Sequence, residues 1–594
     1  MVATTTKSPD TETQGRTLPL PLLGDSIEQT LAAERERMMR EAGLTVGDVR
    51  QFKRPVERPF TRQEREHTTI WIGGLTMRHD QLIKAGLEGL GYKVDLIPVP
   101  KKADFQAGKE YGNNGQCNPT YFTVGALVNH LKRMRDEEGL SIDEILNNHL
   151  FITAGACGPC RFGMYEAEYR LALRNSGFDG FRVMLFQQQG GLNQDTVEAG
   201  LEFNLNFFLS LLNGIFMGDI LNEVAYQIRP YEVVAGQTNR VFEKCVEICR
   251  DALTQKNYDE IHGGALTSIL SKIVPAVKNG EDAAKFLDQL KGTYYAEVFE
   301  QCRKLIDEEI EVDFTRNKPI VKITGEFWAQ TTEGDGNFNM FPFIEEQGGE
   351  VLVEPVATWI CYMLHQAGLK AGDRKAMRPD GSEIPIWSIG ERLSAEFNHR
   401  KKAFTLNLAE KIIIREYNKL RGAVGGTAHE LAPQLELTRM GHPYYNSRSG
   451  GGEGHLEVAK NIYYSSKDMA HMVLSLKPFG CMPSTQSDGA QAAVTSHFKD
   501  IIYLPIETSG EGDINAHSRV QMALGEAKNK CKDEFKRTIE STGYTIDQIR
   551  DFVARPENRD LRRPLQHVPH TTGVIGKASN FALYVAGKMK AAGV

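Results

Sequence analysis

The chain has 594 residues, of which 41% are apolar and 25% are charged, a composition typical of globular proteins. This length predicts roughly two to four domains. A formal net charge of −7 argues against binding to nucleic acid or to acidic membranes. Nine cysteines are too few for a disulfide scaffold, and no secretory signal is recognisable, so we expect a cytoplasmic protein with reduced thiols.

Strand and helix patterns alternate in the first third of the chain. Residues 1–60 read as a polar tail followed by a charged helix over about 25–50. Residues 61–195 form a predicted first α/β domain, in which helical patterns alternate with short apolar runs. These predicted strands are residues 70–72, 94–97, 150–153 and 181–186. Strand–helix–strand order predicts a parallel sheet.

The rest of the chain repeats this pattern after a helical region. Residues 196–312 are almost entirely helical in pattern, and their most apolar stretch, 203–221, contains enough polar residues to indicate a buried helix rather than a membrane span. Residues 313–594 form a predicted second α/β domain with a charged helical insertion near 390–420. Its predicted strands are residues 320–323, 351–353, 472–476 and 501–504. The sequence therefore predicts an α/β protein of two doubly wound halves with a helical region between them.

Three cysteines occupy the same predicted position in this pattern. Cys117 stands before a helix that has Pro119 in its first turn, Cys160 follows the strand at 150–153, and Cys481 follows the strand at 472–476. Ligands bind outside the carboxyl ends of strands in such sheets. Helix starts offer free N–H groups and positive charge, which we expect to lower the thiol pKa and to stabilise an anionic iron–sulfur cluster.

The cysteine spacing by itself leaves several assignments open. Cys157 and Cys160 form a Cys-x-x-Cys pair, which also occurs in zinc sites and in redox dithiols of the thioredoxin kind. The five other cysteines are expected to be small core residues. They are Cys245, Cys249, Cys302, Cys361 and Cys531.

Other polar residues fall at the predicted cleft. Residues 447–455 are rich in glycine and could hold a phosphate or form a flexible loop. Within them Glu453 and His455 are candidates for acid–base chemistry, or for a surface pair. Glu326 follows a predicted strand and points to the same crevice, where residues 187–191 could add amide donors or be an ordinary loop.

Two further features are predicted to be structural. Residues 573–579 imitate part of a phosphate-binding loop, but the spacing is too short and no strand–helix context is predicted, which favours a surface turn. Asp219 and Arg229 are expected to form an ion pair within or between helices.

The cysteine segments resemble one known group of proteins. Gln116-Cys117-Asn118-Pro119, Cys160-Arg161 and Lys477-Pro478-Phe479-Gly480-Cys481 resemble the 2-hydroxyacyl-CoA dehydratase and benzoyl-CoA reductase superfamily. The resemblance is closest to its acyl-CoA dehydratase activase-related branch, also called CoA protein activase, and extends over about residues 65–530.

This resemblance implies flavodoxin-like domains that hold a [4Fe–4S] cluster through Cys117, Cys160 and Cys481. Cys157 departs from the pattern and could be a fourth ligand, which would close the cluster and favour an electron relay. A double-cubane cluster would need ligands shared across a dimer. The resemblance also implies a separate ATPase that drives a low-potential electron into the cluster.

The functional hypothesis is therefore an iron–sulfur electron-transfer or reductase-like component. One alternative is a 2-hydroxyacyl-CoA dehydratase that acts on a CoA ester at the cluster; another is a non-catalytic cluster scaffold or assembly protein; a zinc-stabilised binding module is the last. We also expect a homodimer. Apolar positions of the helical region could form its surface or be buried within the chain: Phe207, Leu211, Phe216 and Ile220.

Overall fold

The computed structural model describes residues 27–41, 58–155, 158, 160–187, 200–263, 279–378 and 381–593. The chain divides into two compact units at residue 58. The first unit contains one described helix, α1 (Ile27–Glu41), which falls within the stretch where the sequence predicts a charged helix. The second unit, Pro59–Val594, contains both sheets.

The first sheet has four parallel strands in the order β2-β1-β3-β4, which is the order of flavodoxin-like domains. Its strands are β1 (Thr69–Ile72), β2 (Val94–Leu96), β3 (His149–Gly155) and β4 (Arg182–Gln187). All four residues of β1 are buried, as expected for a strand covered by helices on both faces. Each strand lies where the sequence predicts it, with ends that differ by one or two residues.

Five helices connect these strands. They are α2 (Met77–Glu88), α3 (Lys102–Tyr111), α4 (Asn118–Asp136), α5 (Ile142–Asn148) and α6 (Tyr165–Asn175), with 3-10 turns at Arg62–Glu64 and Arg161–Met164. The α4 helix has Pro119 in its first turn and buries Phe122, Leu127 and Leu131, as the sequence pattern predicts.

The helical region follows the first sheet. It contains α7 (Leu205–Ile228), a 3-10 turn (Arg229–Tyr231), α8 (Gln237–Gln255), α9 (Gly280–Lys291) and α10 (Tyr294–Glu309). In the described part of the chain one segment, Leu205–Tyr231, is long and apolar enough to cross a membrane, and 83% of its most apolar window is buried in the protein. A helix buried to this extent belongs to the protein core.

The apolar positions proposed above for a dimer surface lie on α7. Phe207, Phe216 and Ile220 are buried, and Leu211 packs against the same core. Burial within the chain therefore accounts for these residues.

The second sheet repeats the first. Its order is β6-β5-β7-β8, again all parallel. Its strands are β5 (Ile320–Gly325), β6 (Glu350–Leu352), β7 (Met472–Pro478) and β8 (Tyr503–Thr508). β8 begins two residues later than predicted, because Ile501 and Ile502 precede the strand.

Ten helices belong to this part of the chain. They are α11 (Phe327–Thr331), α12 (Met340–Glu346), α13 (Val356–Asp373), α14 (Ile389–Ala423), α15 (Gln434–Gly441), α16 (Gly454–Ser466), α17 (Met482–His497), α18 (Asp513–Thr542), α19 (Ile546–Ala554) and α20 (Lys577–Ala591), with 3-10 turns at Gly334–Asn337 and Pro556–Arg562. The fold is thus the predicted α/β arrangement of two flavodoxin-like halves with a helical region between them.

The hydrophobic cores explain how the parts hold together. The largest core joins one face of the first sheet to the helical region and also takes in the second half of α14 and the C-terminal helices α19 and α20. A separate core fills the second sheet. In each sheet the central pair of strands, β1 with β3 and β5 with β7, has its carboxyl ends where ligands bind in doubly wound folds.

Candidate functional site

The three cysteines of the predicted cluster each stand immediately before a helix. Cys117 is the N-cap residue of α4, Cys160 precedes the 3-10 turn that leads into α6, and Cys481 is the N-cap residue of α17. Each has an extended backbone, which leaves the first N–H groups of the following turn without partners inside the helix. The predicted helix-start positions are confirmed.

The segments that carry Cys117 and Cys481 are in direct contact. The Asn118 N–H donates to the carbonyl oxygen of Phe479 at 3.1 Å. A Cβ atom on Gly480, whose φ is +78°, would lie 3.0 Å from the carbonyl oxygen of Gln116 and 3.3 Å from the Cα of Cys117. A loop from the second half therefore packs backbone to backbone on a loop from the first.

The glycine-rich stretch brings Cys160 to the same place. A Cβ atom on Gly452, whose φ is +105°, would lie 2.4 Å from Pro483 Cγ of α17 and 3.5 Å from Cys160 Cβ. Cys157 lies outside the described residues, but a Cβ atom on its neighbour Gly158 would lie 2.8 Å from the Cα of Gly451. These glycines permit a close backbone approach between the two halves.

The three thiols are enclosed and are not joined in disulfides. Cys117 and Cys481 are each 6% exposed, and Cys160 is partly buried. Cys117 Sγ lies 3.2 Å from Thr120 Oγ1 and 3.1 Å from Tyr165 Oη, which supply hydroxyl groups to the sulfur.

Burial favours the protonated form of these thiols in the metal-free protein. Burial is the main cause that raises the pKa of Cys117, Cys160 and Cys481, and the negative charge of Glu326 raises it further at all three. The expectation that helix starts would lower these pKa values is therefore wrong for the metal-free protein, because desolvation outweighs the helix termini. A cation bound here must displace the thiol protons.

Glu326 is the carboxylate that these three cysteines share. It follows β5 as the N-cap residue of α11, and its side chain accepts a hydrogen bond from the Ala329 N–H at 3.0 Å. Burial raises the pKa of Glu326 to about 7. Sequence analysis predicts this position from the end of the strand, and the structure places the carboxylate within electrostatic reach of Cys117, Cys160 and Cys481.

Glu453 lies within electrostatic reach of Cys160. It is the N-cap residue of α16, and its Oε2 atom has no hydrogen-bond partner among the residues that the structure describes. Burial raises the pKa of Glu453 to about 8, with a further contribution from Glu326, and the Glu453 charge in turn raises the pKa of Cys160. Glu326 and Glu453 are thus two protonatable carboxyls beside the thiols.

His455 faces elsewhere. A Cβ atom on Gly441 of α15 would lie 2.9 Å from its Nε2, and its ring lies 6.5 Å from that of Tyr445. Burial lowers the pKa of His455 to about 4, so the ring is neutral at physiological pH. The structure neither brings His455 together with the cysteines nor exposes it in a surface pair with Glu453.

Sequence analysis missed the polar contacts that anchor α17 behind Cys481. The Glu457 carboxylate accepts hydrogen bonds from Ser484 Oγ at 2.5 Å and Ser487 Oγ at 2.6 Å. Lys477 Nζ donates to Ser487 Oγ at 3.1 Å and forms an ion pair with Asp488. Lys477 belongs to the segment around Cys481 that resembles the superfamily, so the sequence offered a reason to single it out. No sequence motif pointed to Glu457.

The remaining cysteines lie in cores. Cys245, Cys249 and Cys302 are fully buried, and the sulfurs of Cys249 and Cys302 are 3.9 Å apart. The sequence places Cys302 far from the other two, so only the packing of α8 on α10 reveals this trio. Cys361 and Cys531 are each 1% exposed.

The three thiols at the cleft are of the ligand type that iron–sulfur clusters use, and in donor chemistry they fit such a cluster. Cys117 and Cys481 are buried, Cys160 is partly buried, and none of the three is in a disulfide. Within the described ranges no group of three His, Cys, Asp or Glu side chains is placed to hold a single metal ion.

Two structural expectations need correction. Asp219 pairs with His79 at 3.0 Å and accepts from the Val356 and Ala357 N–H groups, while Arg229 pairs with Glu345 at 2.7 Å, so Asp219 and Arg229 do not pair with each other. Asp219 thereby joins the first helix of one half to α13 of the other.

The 573–579 stretch has the expected exposed turn at Gly573 and no strand before it, but the helix α20 begins within it at Lys577. The position that a phosphate would take is nevertheless filled by the protein itself, since the Ile575 and Gly576 N–H groups both donate to the Glu534 carboxylate at 2.8 Å. Lys577 Nζ pairs with Glu350 at 3.0 Å.

A separate cavity of about 640 Å³ lies between α2, α8 and the 333–345 segment. Its lining carries both signs of charge: three arginines, Arg78, Arg229 and Arg250, face four glutamates, Glu243, Glu247, Glu333 and Glu345. This lining does not select a ligand of one charge.

Comparison with known proteins adds no assignment, since neither a family model nor a curated protein matches the sequence. The fold and the cysteine cleft therefore define the class of protein only as a flavodoxin-like α/β protein with a buried thiol site between its halves.

Proposed function

We propose that this chain is an iron–sulfur protein of the 2-hydroxyacyl-CoA dehydratase and benzoyl-CoA reductase superfamily, in its activase-related branch, and that it acts as an electron-transfer or reductase-like component. The observation that supports this is the convergence of Cys117, Cys160 and Cys481 at three helix starts drawn from both halves. The resemblance of these same segments to the superfamily implies that the cluster is a [4Fe–4S] cluster.

In this proposal Cys117, Cys160 and Cys481 hold a [4Fe–4S] cluster, and Cys157, outside the described residues, is a candidate fourth ligand. Such a cluster supplies one-electron transfer at low potential when it is bound. The helix-start N–H groups stabilise negative charge at the thiolates, while burial keeps water away from them. Ionised Glu326 opposes additional negative charge at the site, which favours a low reduction potential.

The partner and compartment follow from the same proposal. The proposed electron donor is a separate ATPase, as the resemblance implies. The stretch that imitates a phosphate-binding loop is not that nucleotide site, because its Ile575 and Gly576 N–H groups donate to Glu534. We place the protein in the cytoplasm with reduced thiols, as a homodimer. A double-cubane cluster requires thiolates contributed across that dimer.

A second candidate is a dehydratase that acts on a 2-hydroxyacyl-CoA ester at the cluster. The specific observation in its favour is the pair of partly buried carboxyls, Glu326 and Glu453, whose pKa values are raised to about 7 and 8. Groups that titrate near neutral pH are suited to accept and return a proton. In this alternative Glu453, whose Oε2 has no partner among the described residues, is the acid–base residue.

An anaerobic reduction assay separates these functions. The purified holoprotein is mixed with an ATPase of the same superfamily, dithionite and ATP, and the cluster is followed by electron paramagnetic resonance. The relay predicts reduction that requires ATP and a signal that CoA esters leave unchanged. A signal shifted by a 2-hydroxyacyl-CoA ester favours the dehydratase. No effect of ATP, with transfer of iron and sulfide to an apo-ferredoxin, contradicts both and favours a scaffold.

A further inference from the structure

The cavity of about 640 Å³ lies where three parts of the chain meet. Its walls come from α2 of the first half, from α7 and α8 of the helical region, and from residues 333–345 of the second half. Its volume is in the range of small-molecule sites. None of its lining residues belongs to the thiol cleft, so what binds there is independent of the cluster.

Part of the charged lining is already satisfied within the protein. Arg229 donates from Nε and Nη2 to the two carboxylate oxygens of Glu345, at 2.7 and 3.1 Å, and from Nη1 to Asn239 Oδ1 at 2.8 Å. The Glu333 carboxylate accepts from the Met77 N–H at the start of α2, at 3.1 Å. These groups shape the wall and need no ligand.

Arg78 has no such counter-ion. Its Nη1 donates to Asn222 Oδ1 at 3.0 Å and its Cζ lies 5.5 Å from the centre of the Phe242 ring, but no carboxylate among the described residues forms an ion pair with it. Burial lowers the pKa of Arg78, yet a guanidinium stays charged at neutral pH. A desolvated cation without a partner, with N–H groups left to donate, favours an anionic group in the cavity.

The α8 side of the cavity carries the opposite charge. Glu243, Val246, Glu247 and Arg250 have the spacing of a single helix face, and all four line the cavity. Glu243 and Glu247 are exposed, and in the described part of the chain neither forms an ion pair. Residues four apart on a helix are neighbours, so these two carboxylates repel each other and a cation between them would relieve both.

An apolar surface lies in the same cavity. The rings of Tyr226 and Phe341 are 5.9 Å apart in an edge-to-face arrangement. Met77, Val246 and Pro342 also contribute to the lining. The cavity therefore combines an unpaired cation, a pair of unpaired anions and a surface on which an apolar side chain can pack.

We propose that this cavity binds a free α-amino acid with an apolar side chain. Its carboxylate contacts Arg78, its ammonium group lies between Glu243 and Glu247, and its side chain packs against Tyr226 and Phe341. A ligand with one charge is attracted by one of these sets and repelled by the other, whereas a zwitterion satisfies both.

Isothermal titration calorimetry on the full chain tests the ligand class. The probes are L-leucine, L-methionine and L-phenylalanine, with two analogues that each lack one charge, N-acetyl-L-phenylalanine and L-phenylalanine amide. At least one amino acid is expected to bind at a single site with a dissociation constant below about 1 mM. Both analogues are expected to bind at least tenfold more weakly than L-phenylalanine. No binding by any of the three amino acids, or an analogue that binds as tightly as L-phenylalanine, overturns the proposal.

Variants test the two charged contacts separately. Arg78→Met is expected to weaken L-phenylalanine binding at least tenfold. The Glu243→Gln, Glu247→Gln double variant changes two exposed side chains, so it is expected to fold normally and to lose the same factor. Arg174→Met, at an arginine 53% exposed on α6 that pairs with Asp179, is the control and should bind as wild type does. Unchanged binding by the double variant overturns the proposal even if Arg78→Met does not fold.

Discussion

Asn118 donates its main-chain N–H to the carbonyl oxygen of Phe479 at 3.1 Å. Asn118 directly follows Cys117, and Phe479 stands two residues before Cys481. The Asn118 side chain donates to the Thr508 carbonyl oxygen at 2.5 Å, which ties the start of α4 to the end of β8. Cys117 and Cys481 are therefore positioned by backbone contacts between the two halves, and the thiol site exists only when both halves are assembled.

Replacement of any of the three thiols should empty the site. Cys117→Ser, Cys160→Ser and Cys481→Ser are each expected to lose most of the bound iron after anaerobic purification, because serine is a poor ligand for iron in such clusters. Cys361→Ser, at a cysteine 1% exposed in the core, is the control and should keep its iron. Full iron content in the Cys117→Ser or Cys481→Ser protein contradicts the ligand assignment.

The glycine at position 452 should be essential for packing of the cleft. In Gly452→Ala the new Cβ would meet Pro483 Cγ at 2.4 Å, and the φ of +105° disfavours alanine. We expect the free energy of unfolding to fall by about 1–3 kcal/mol in urea titrations. Gly489→Ala is the control, since Gly489 lies within α17 with no atom inside 4 Å of the added Cβ. It should be neutral or stabilising; equal losses in the two variants would contradict the close approach.

A buried ion pair supports the second sheet. Glu354 accepts from Lys322 Nζ at 2.9 Å and from Tyr464 Oη at 2.9 Å, and all three groups are buried. Glu354→Gln leaves buried ammonium charge without its carboxylate, and we expect a loss of about 3–5 kcal/mol in the free energy of unfolding. Glu309→Gln removes the exposed partner of Lys244 and should cost no more than about 1 kcal/mol.

The same pair predicts a pH dependence. Burial opposes ionisation of Glu354, but the positive charges of Lys322 and Lys460 outweigh it and lower the pKa of Glu354 to about 2. A carboxyl whose pKa is lower in the folded protein stabilises it above the unfolded pKa, and this stability is lost as pH falls toward 2. Denaturant titrations should therefore show wild type approaching Glu354→Gln in stability between about pH 4.5 and pH 2. A constant difference over that range would contradict an ionised Glu354.

In the cluster-free protein, Glu326 is expected to make the free energy of unfolding change with pH in the opposite direction. Its pKa is raised to about 7, so its protonated form favours folding below the unfolded pKa and this contribution is lost as pH rises through 7. Glu326→Gln should thus stabilise the cluster-free protein by about 1–3 kcal/mol at pH 8 and have little effect at pH 4. Urea titrations at the two pH values measure this, and a destabilised variant at pH 8 would refute the raised pKa of Glu326.

The fold was predictable because its signals are local. Short apolar runs such as 70–72 and 320–323 identified strands, and a helix start beside Pro119 was recognisable from sequence alone. The strand order and the contact between Asn118 and Phe479 depend on packing over hundreds of residues, for which a single sequence carries no direct signal. Position 326 was predictable from its place after a strand, whereas the burial that raises its pKa was not.

The misjudged features share a cause. His455 and Glu453 stand two residues apart at the start of α16, yet they face different surroundings, because residues two apart on a helix differ in direction by about 200°. The core positions predicted for Cys245, Cys249 and Cys302 are confirmed, and only their mutual contact, which depends on the packing of α8 on α10, was not foreseen. The lowered thiol pKa expected at helix starts ignored desolvation, which depends on how deeply the two halves enclose the sulfurs.

Iron and labile-sulfide analysis of the anaerobically purified protein, combined with electron paramagnetic resonance after reduction, tests the central proposal most directly. A single cluster held by Cys117, Cys160 and Cys481 predicts about four iron atoms and four sulfides per chain, with a signal typical of a reduced [4Fe–4S] cluster. One equivalent of zinc and no sulfide, or no bound metal after anaerobic reconstitution with iron and sulfide, would contradict it.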